Sequence, residues 1–271
     1  MSDIVLSSGV RSNLLQLQQT SELITSTQTK LATGKRVNSA LDNPINFFTA
    51  QGLNVRANDL NQLLDTMTTG INTIQAANNG ISAITKLVQS AQSLVSQAQQ
   101  TTDTTVRATL AAQFDAVRGQ IDQLSADSGI NGVNLIGNNN LTITLNETGS
   151  STVTISGFDD TTAGALALSG SANSWASNAD ITAAGAELTT SLVTLRSQSQ
   201  ALSSNLQTVQ VRQDFTKAMI NTLNTGADGL TLADSNEEGA NLLALQTRQQ
   251  LSTTALSLAA QADQNVLKLF Q

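Results

Sequence analysis

Cysteine, histidine and tyrosine are absent from this sequence, and proline occurs once, at Pro44. Without cysteine there is no disulfide and no thiolate metal site. Without histidine there is no imidazole base, no Ser-His-Asp triad and no histidine-held metal. Aromatic residues are 3% of the 271 positions, thin for a compact enzyme core, where such rings supply much of the buried area. Charge is also sparse, at 12% of residues with a net charge of −7. The acidic balance argues against nucleic acid, whose binding rests on Lys and Arg neutralising phosphates. No apolar run approaches the roughly 18 residues of a membrane helix, so no membrane insertion is expected. The opening residues, MSDIVLSSGVRSNLLQLQQ, lack a basic segment followed by an apolar one, so no ordinary secretory signal is expected.

What is present is Leu, Ile, Val, Ala and Gln at helical spacing. Alternating four- and three-residue steps connect Val10, Leu14, Leu17, Ser21, Ile24, Gln28 and Leu31, a coiled-coil seam with two polar interruptions. That helix should end near Gly34, a residue suited to a left-handed C-cap. Asn43 can cap a second helix whose first position is Pro44, where the missing N–H costs nothing. Its seam runs Leu53, Ala57, Leu60, Leu64, Met67, Ile71, Ile74, Asn78, Ile81, then shifts by one through Ile84, Val88, Ala91 and Val95. Gly52, Gly70 and Gly80 weaken it by about 1 kcal/mol each relative to Ala, a loss that packing must offset. A helix over 45–98 would be roughly 80 Å long. The expected fold is therefore mainly α: an elongated rod of long antiparallel, coiled-coil-like helices.

A third helix is expected over 104–127, with Leu110, Phe114, Val117, Ile121 and Leu124 on one side. SGINGVNLIGNNN supplies turn residues. Period-two spacing at Leu141, Ile143, Leu145 and then Val153 and Ile155, around NETGS, reads as a small β-hairpin insert. The stretch 157–180 reads as irregular, with one strand at most. A further seam runs Leu188, Leu192, Leu195, Ser199, Leu202, Leu206, Val209, Gln213, Thr216, Ile220, Leu223, and Gly226 and Gly229 should break it. SNEE, Ser235–Glu238, fits a capping box, with Ser235 as cap and Glu238 reaching back. The last helix carries Leu251, Ala255, Leu258, Ala262 and Leu269 on one stripe. The two end helices are expected to pair, because isolated helices of this kind gain most of their stability from packing.

No constellation of catalytic groups, cofactor site or metal site emerges. TGKR is not a P-loop: Thr29 stands where the earlier glycine is needed, Arg36 follows the Lys, and a helix precedes it. DSNEEG lacks EF-hand spacing. The acidic pairs Asp159–Asp160 and Glu237–Glu238 read as loop and helix-start carboxylates, the latter favoured by the dipole. Trp175 reads as a local packing anchor. Asn140 and Asn146 begin N-x-Thr sequons, weak signals on their own.

LATGKRVNSALDNP, Leu31 to Pro44, resembles the signature near the N-terminus of bacterial flagellins, with Gly34, Arg36, Val37, Asn38, Ser39, Ala40 and Asp42 matching. NGVNLIGN, Asn131–Asn138, is similar to that family's Asn-Gly turn. The stretch from Leu232 to Phe270 resembles its C-terminal block. Together these cover about 1–135 and 181–271. The resemblance implies a self-assembling filament subunit, exported unfolded, with partners in itself, the flagellar export apparatus, an export chaperone, and hook-associated and cap proteins. It implies inner-core helices at 1–33 and 239–271, with Leu14, Leu17, Ile24, Leu31, Leu251, Leu258 and Leu269 as assembly residues. A spoke is implied at 34–44 and 226–238, carried by Gly34, Arg36, Asn38, Asp42 and Pro44. An outer-shell helical domain follows at 45–135 and 181–225, with a short variable insert at 136–180. DNPINFFTA departs from the family's common Asp-Asp-Ala-Ala-Gly run, a variation associated with alphaproteobacterial members. The absence of His-Glu-x-x-His means no metallopeptidase insert. Gln89 and Ala91 stand near positions where many flagellins carry arginine for an innate-immune receptor, which implies weak recognition. The competing readings are the related hook–filament junction protein and a secreted coiled-coil adhesin or effector.

Overall fold

The fold is that of a computed structural model, which describes residues 8–269 apart from the side chains at 263 and 266–269. Five long helices account for most of it: α1 (Ser8–Thr33), α2 (Pro44–Gln100), α3 (Thr104–Asp127), α4 (Asn178–Thr231) and α5 (Ser235–Leu269). Two short strands, β1 (Leu141–Thr144) and β2 (Thr152–Ile155), form one antiparallel pair. The chain divides into two compact units, one of residues 1–55 with 222–271, the other of residues 56–221.

In the first unit α1 lies against α5, antiparallel, since Lys30 near the end of α1 reaches Glu238 at the start of α5. The buried face of α1 keeps four of the seven expected seam positions. Val10, Thr20, Ile24 and Thr27 are buried, Leu17 and Leu31 half-buried, while Leu14, Ser21 and Gln28 are exposed. Thr20 takes the buried place expected of Ser21, and its hydroxyl donates to the Gln16 carbonyl, 2.8 Å away, so that its polar atom is satisfied inside the helix. Likewise the half-buried face of α5 is Leu242, Leu245, Gln249, Ser252, Leu256 and Ala259. The expected stripe of Leu251, Ala255, Leu258 and Ala262 is exposed instead, and the Leu269 side chain falls outside the described residues.

The second unit holds most of the core. Along α2, Ala57, Leu60, Met67, Ile71, Ile74, Ile81, Ile84, Val88, Ala91 and Val95 are all buried, as the spacing predicts. Leu63 takes the buried place expected of Leu64. Asn78 accepts from Ser199 on α4 (3.2 Å), and Thr68 from Gln213 (3.0 Å), pairings that set α4 antiparallel to α2. Asp103 caps α3 by accepting from the Thr105 and Val106 N–H groups. Arg107 is buried just beyond it. Its guanidinium donates to the Ala98 carbonyl (3.2 Å), the Thr101 carbonyl (2.8 Å) and the Ala176 carbonyl (3.4 Å), and to Asn178 Oδ1. A cation thus gathers carbonyls left over at the end of α2 and fixes the start of α4.

Ile143 and Ile155 are the buried face of the hairpin; Thr142 and Thr154 meet on the other, 3.3 Å apart. The following segment carries no strand. It packs on α3 and α4 through Leu166, Leu168 and Trp175, all buried, with the Trp175 ring 5.0 Å from Phe114. Asn173, Ser174 and Trp175 all have positive φ (47°, 48° and 58°), a left-handed turn unusual for residues with side chains. Trp175 is a packing anchor, as its sequence surroundings suggest.

Gly226 and Gly229 do not break α4, which runs on to Thr231. At Gly226 an added Cβ would lie 3.4 Å from Leu53 Cδ1, an ordinary contact. Gly80 is tighter. A Cβ there would fall 2.7 Å from Ile136 Cδ1 and 2.9 Å from Ser128 Cβ, and Ser128 is held by its own hydroxyl bond to the Leu124 carbonyl (2.6 Å). Gly52 has nothing within 4 Å. Two alanine substitutions should therefore move apart. Gly52→Ala should raise monomer stability by up to about 1 kcal/mol through helix propensity. Gly80→Ala should lower it, since overpacking costs about 1–3 kcal/mol. Thermal melts of the two variants check this; equal shifts would refute the close packing at Gly80.

Candidate functional site

The connector between α1 and α2 runs against the connector between α4 and α5. Gly34 ends α1 at φ 67°, the left-handed conformation a residue with a Cβ rarely adopts. The chain then forms a one-rung antiparallel bridge, Lys35 opposite Leu232. The Arg36 N–H donates to the Thr231 carbonyl (2.8 Å), and so does the Val37 N–H (3.3 Å). In return the Ala233 N–H donates to the Gly34 carbonyl (2.9 Å). The Arg36 guanidinium reaches the Gly229 carbonyl (3.2 Å), one of the last carbonyls of α4. Val37 is the buried apolar residue of this joint.

The rest of the joint folds on Asp42. Its Oδ2 accepts from the Asn38 N–H (2.9 Å), the Ser39 N–H (2.9 Å) and the Ser39 hydroxyl (3.2 Å). The Asn38 amide donates to the Lys35 carbonyl (3.0 Å). Asn43 Oδ1 then accepts from the Asn46 N–H (3.0 Å), and Pro44 opens α2. The backbone N–H groups of Ser39 and Asn38 hold the Asp42 carboxyl below its usual value of 3.8. The ionised form is the one bound, so its contribution stands above pH 3.8 and is lost only as pH falls through the lower folded value.

On the opposite strand the cap of α5 is Asp234, not Ser235. Asp234 Oδ1 accepts from the Asn236 N–H (2.8 Å) and the Glu237 N–H (3.3 Å). Glu238 does not reach back in a capping box. It pairs with Lys30 at 3.1 Å, a partner that sequence spacing within α5 could not reveal.

Gly34, Arg36, Asn38, Asp42 and Pro44 are thus brought together. Leu14, Leu251 and Leu258 are exposed on the paired end helices, while Ile24 is buried and Leu17 and Leu31 are half-buried between them. Ala91 is wholly buried in α2. Gln89 is exposed and lines a groove of about 450 Å³ with Lys86 and Arg196. No group of three or more metal-ligating side chains occurs among the described residues, and none of their helices is long and apolar enough to cross a membrane.

Residues 8–141 match the N-terminal helical region of bacterial flagellin. Flagellin FljO of Caulobacter vibrioides is 29% identical over 280 aligned residues, spanning 100% of this chain and 99% of the relative. The flagellin of Brucella melitensis is 24% identical with 100% of both chains covered. Flagellin A of Rhizobium meliloti is 38% identical over 96 residues, which are 35% of this chain and 24% of that protein.

One titratable group stands apart from the joint. Asp160 is fully buried, and neither carboxyl oxygen has a hydrogen-bond partner; Gln198 Oε1 on α4 is buried and unpartnered too. Burial pushes the Asp160 carboxyl from 3.8 up to about 6, and the neighbouring charge of Asp159 adds to the rise. The folded form prefers the neutral acid. Its stabilisation is therefore full below pH 3.8 and is lost as pH rises through about 6. Asp160→Asn should flatten that decline and raise stability at pH 7.5 by up to about 3 kcal/mol. Denaturation curves at pH 4 and 7.5 check this; an unchanged pH dependence in the variant would refute it.

Proposed function

The chain belongs to the bacterial flagellins, structural proteins of the flagellar filament and not enzymes, and we propose a specific division of labour within it. Residues 1–33 and 239–271 form the inner core, 34–44 and 226–238 the spoke, 45–135 and 181–225 the outer shell, and 136–180 a short surface insert. The subunit is exported unfolded through the flagellar export apparatus with a chaperone. It polymerises outside the cell beneath a cap protein, beyond hook-associated proteins, and the filament serves swimming. The absence of cysteine suits such a route, since no disulfide has to form after export.

One observation carries the assembly reading. In the unit of residues 1–55 and 222–271, the described residues include eleven exposed large apolar side chains against six buried apolar ones. In the unit of residues 56–221 the numbers are four and thirty-one. Burying a Leu or Ile side chain is worth about 1.5–3 kcal/mol, while ordering each residue costs about 1–2 kcal/mol in backbone entropy. The first unit leaves most of its large apolar surface for something other than its own chain.

Electron microscopy of the purified chain in a salting-out salt, beside a chain lacking 1–40 and 231–271, tests this. Filaments from the full chain alone are expected. No filaments from either, even with added seeds, would move the assignment to the hook–filament junction protein. In the same assay Arg36→Ala should cut filament yield while changing monomer stability by less than about 1 kcal/mol, the usual size of an exposed hydrogen bond. Unchanged yield would remove Arg36 from the spoke. With Ala91 buried and Gln89 uncharged, purified monomer should signal weakly in cells bearing the innate-immune flagellin receptor; strong signalling would contradict that.

A further inference from the structure

The start of α2 carries an apolar stripe that the chain itself leaves uncovered. Ile45 is 77% exposed, Phe48 60% and Val55 53%, and Leu41, in the turn just before the helix, is 96% exposed. Ile45, Phe48, Gly52 and Val55 follow each other in steps of three, four and three. That is the repeat of a helix-to-helix seam. The opposite face of the same turns is covered, with Ala50 and Ala57 buried. Gly52 has nothing within 4 Å of where its Cβ would be, so it leaves a flat place in the middle of the stripe where another helix can approach closely. Phe47 meets the Phe48 ring edge-on at 5.5 Å and steadies it.

We propose that this stripe docks against a helix of a second copy of the chain, as a contact made in the polymer and not in a dimer. The inference rests on the filament reading and extends it to a face outside the paired end helices. Two arguments choose the occupant. First, the stripe is small. Four side chains of this kind make a patch of a few hundred Å², within the range of a single monomer's largest patch and below the roughly 800 Å² per partner of a stable complex. Such a contact holds only where many others act with it. Second, the chain supplies matching chemistry on a different helix: Val211 and Phe215, one helical turn apart on α4, are exposed as well. A patch that pairs with a different patch, and not with its own copy, propagates a chain of subunits in place of closing a dimer.

The lack of cysteine makes the test direct. Phe48→Cys places one thiol in the stripe, and Thr148→Cys, in the exposed hairpin turn, serves as control. Maleimide labelling is timed for each in the monomer and after salt-induced polymerisation. The Phe48→Cys thiol should label as fast as the control in the monomer and at least tenfold slower in the polymer, with the control unchanged. In parallel Phe48→Ser should raise the concentration needed for polymerisation at least tenfold without altering the monomer's thermal melt. Equal labelling in monomer and polymer would overturn the docking and leave the filament reading intact. Slow labelling already in the monomer would overturn it too, by showing the stripe covered by its own chain. Failure of the unsubstituted chain to polymerise would overturn both.

Discussion

Two helices laid side by side share one seam, and each keeps most of its circumference outside it. That constraint governs the end helices. α1 buries Val10, Thr20, Ile24 and Thr27 and half-buries Leu17 and Leu31 against half-buried partners from α5. The seam of α2, α3 and α4 is different because three helices and the insert surround it. There Ile74, Ile84, Val88 and Phe114 are wholly excluded from solvent. Among the described residues, one chain therefore contains a unit with a large core and a unit with a small one.

The joint shows how backbone chemistry joins helices without a large core. Helix ends leave carbonyls and N–H groups unpaired. Here the two connectors satisfy each other: Thr231 accepts from two N–H groups, Gly34 returns a carbonyl, and Asp42 gathers the loop's own donors. Arg36 adds a charge at a helix C-terminus, where a cation is favoured. Each contact is small, but they converge on about a dozen residues, so the direction in which α2 leaves α1 is set by geometry and not by burial.

Much of this was legible in the sequence, and the misses have physical causes. The spans of α2 and α3 follow from uninterrupted apolar spacing, and Gly34, Asn43 and Pro44 mark their conformations directly. The phase of α5 did not, and that of α1 only in part, because both helices carry two apolar stripes. Leu14 and Leu251 fit a coiled-coil repeat as well as Thr20 or Leu245, and only the partner decides which faces inward. Gly226 and Gly229 read as breakers, but each costs a helix only about 1 kcal/mol, and α4 continues through both. Arg107 gave no signal and Asp160 read only as a loop carboxylate; Arg107 is held partly by Ala176 and Asn178, far away in sequence.

The ambiguity of the end helices follows from the same constraint. A helix with one apolar stripe has one inward face and can be read without ambiguity. A helix with two stripes can be satisfied only by two neighbours, and a folded chain of this topology supplies one. Leu14 on α1 and Leu251 and Leu258 on α5 belong to the stripe that the pairing of these two helices leaves exposed. In α2 and α4 of the second unit, where one buried face predominates, the predicted and observed seams coincide at nearly every position.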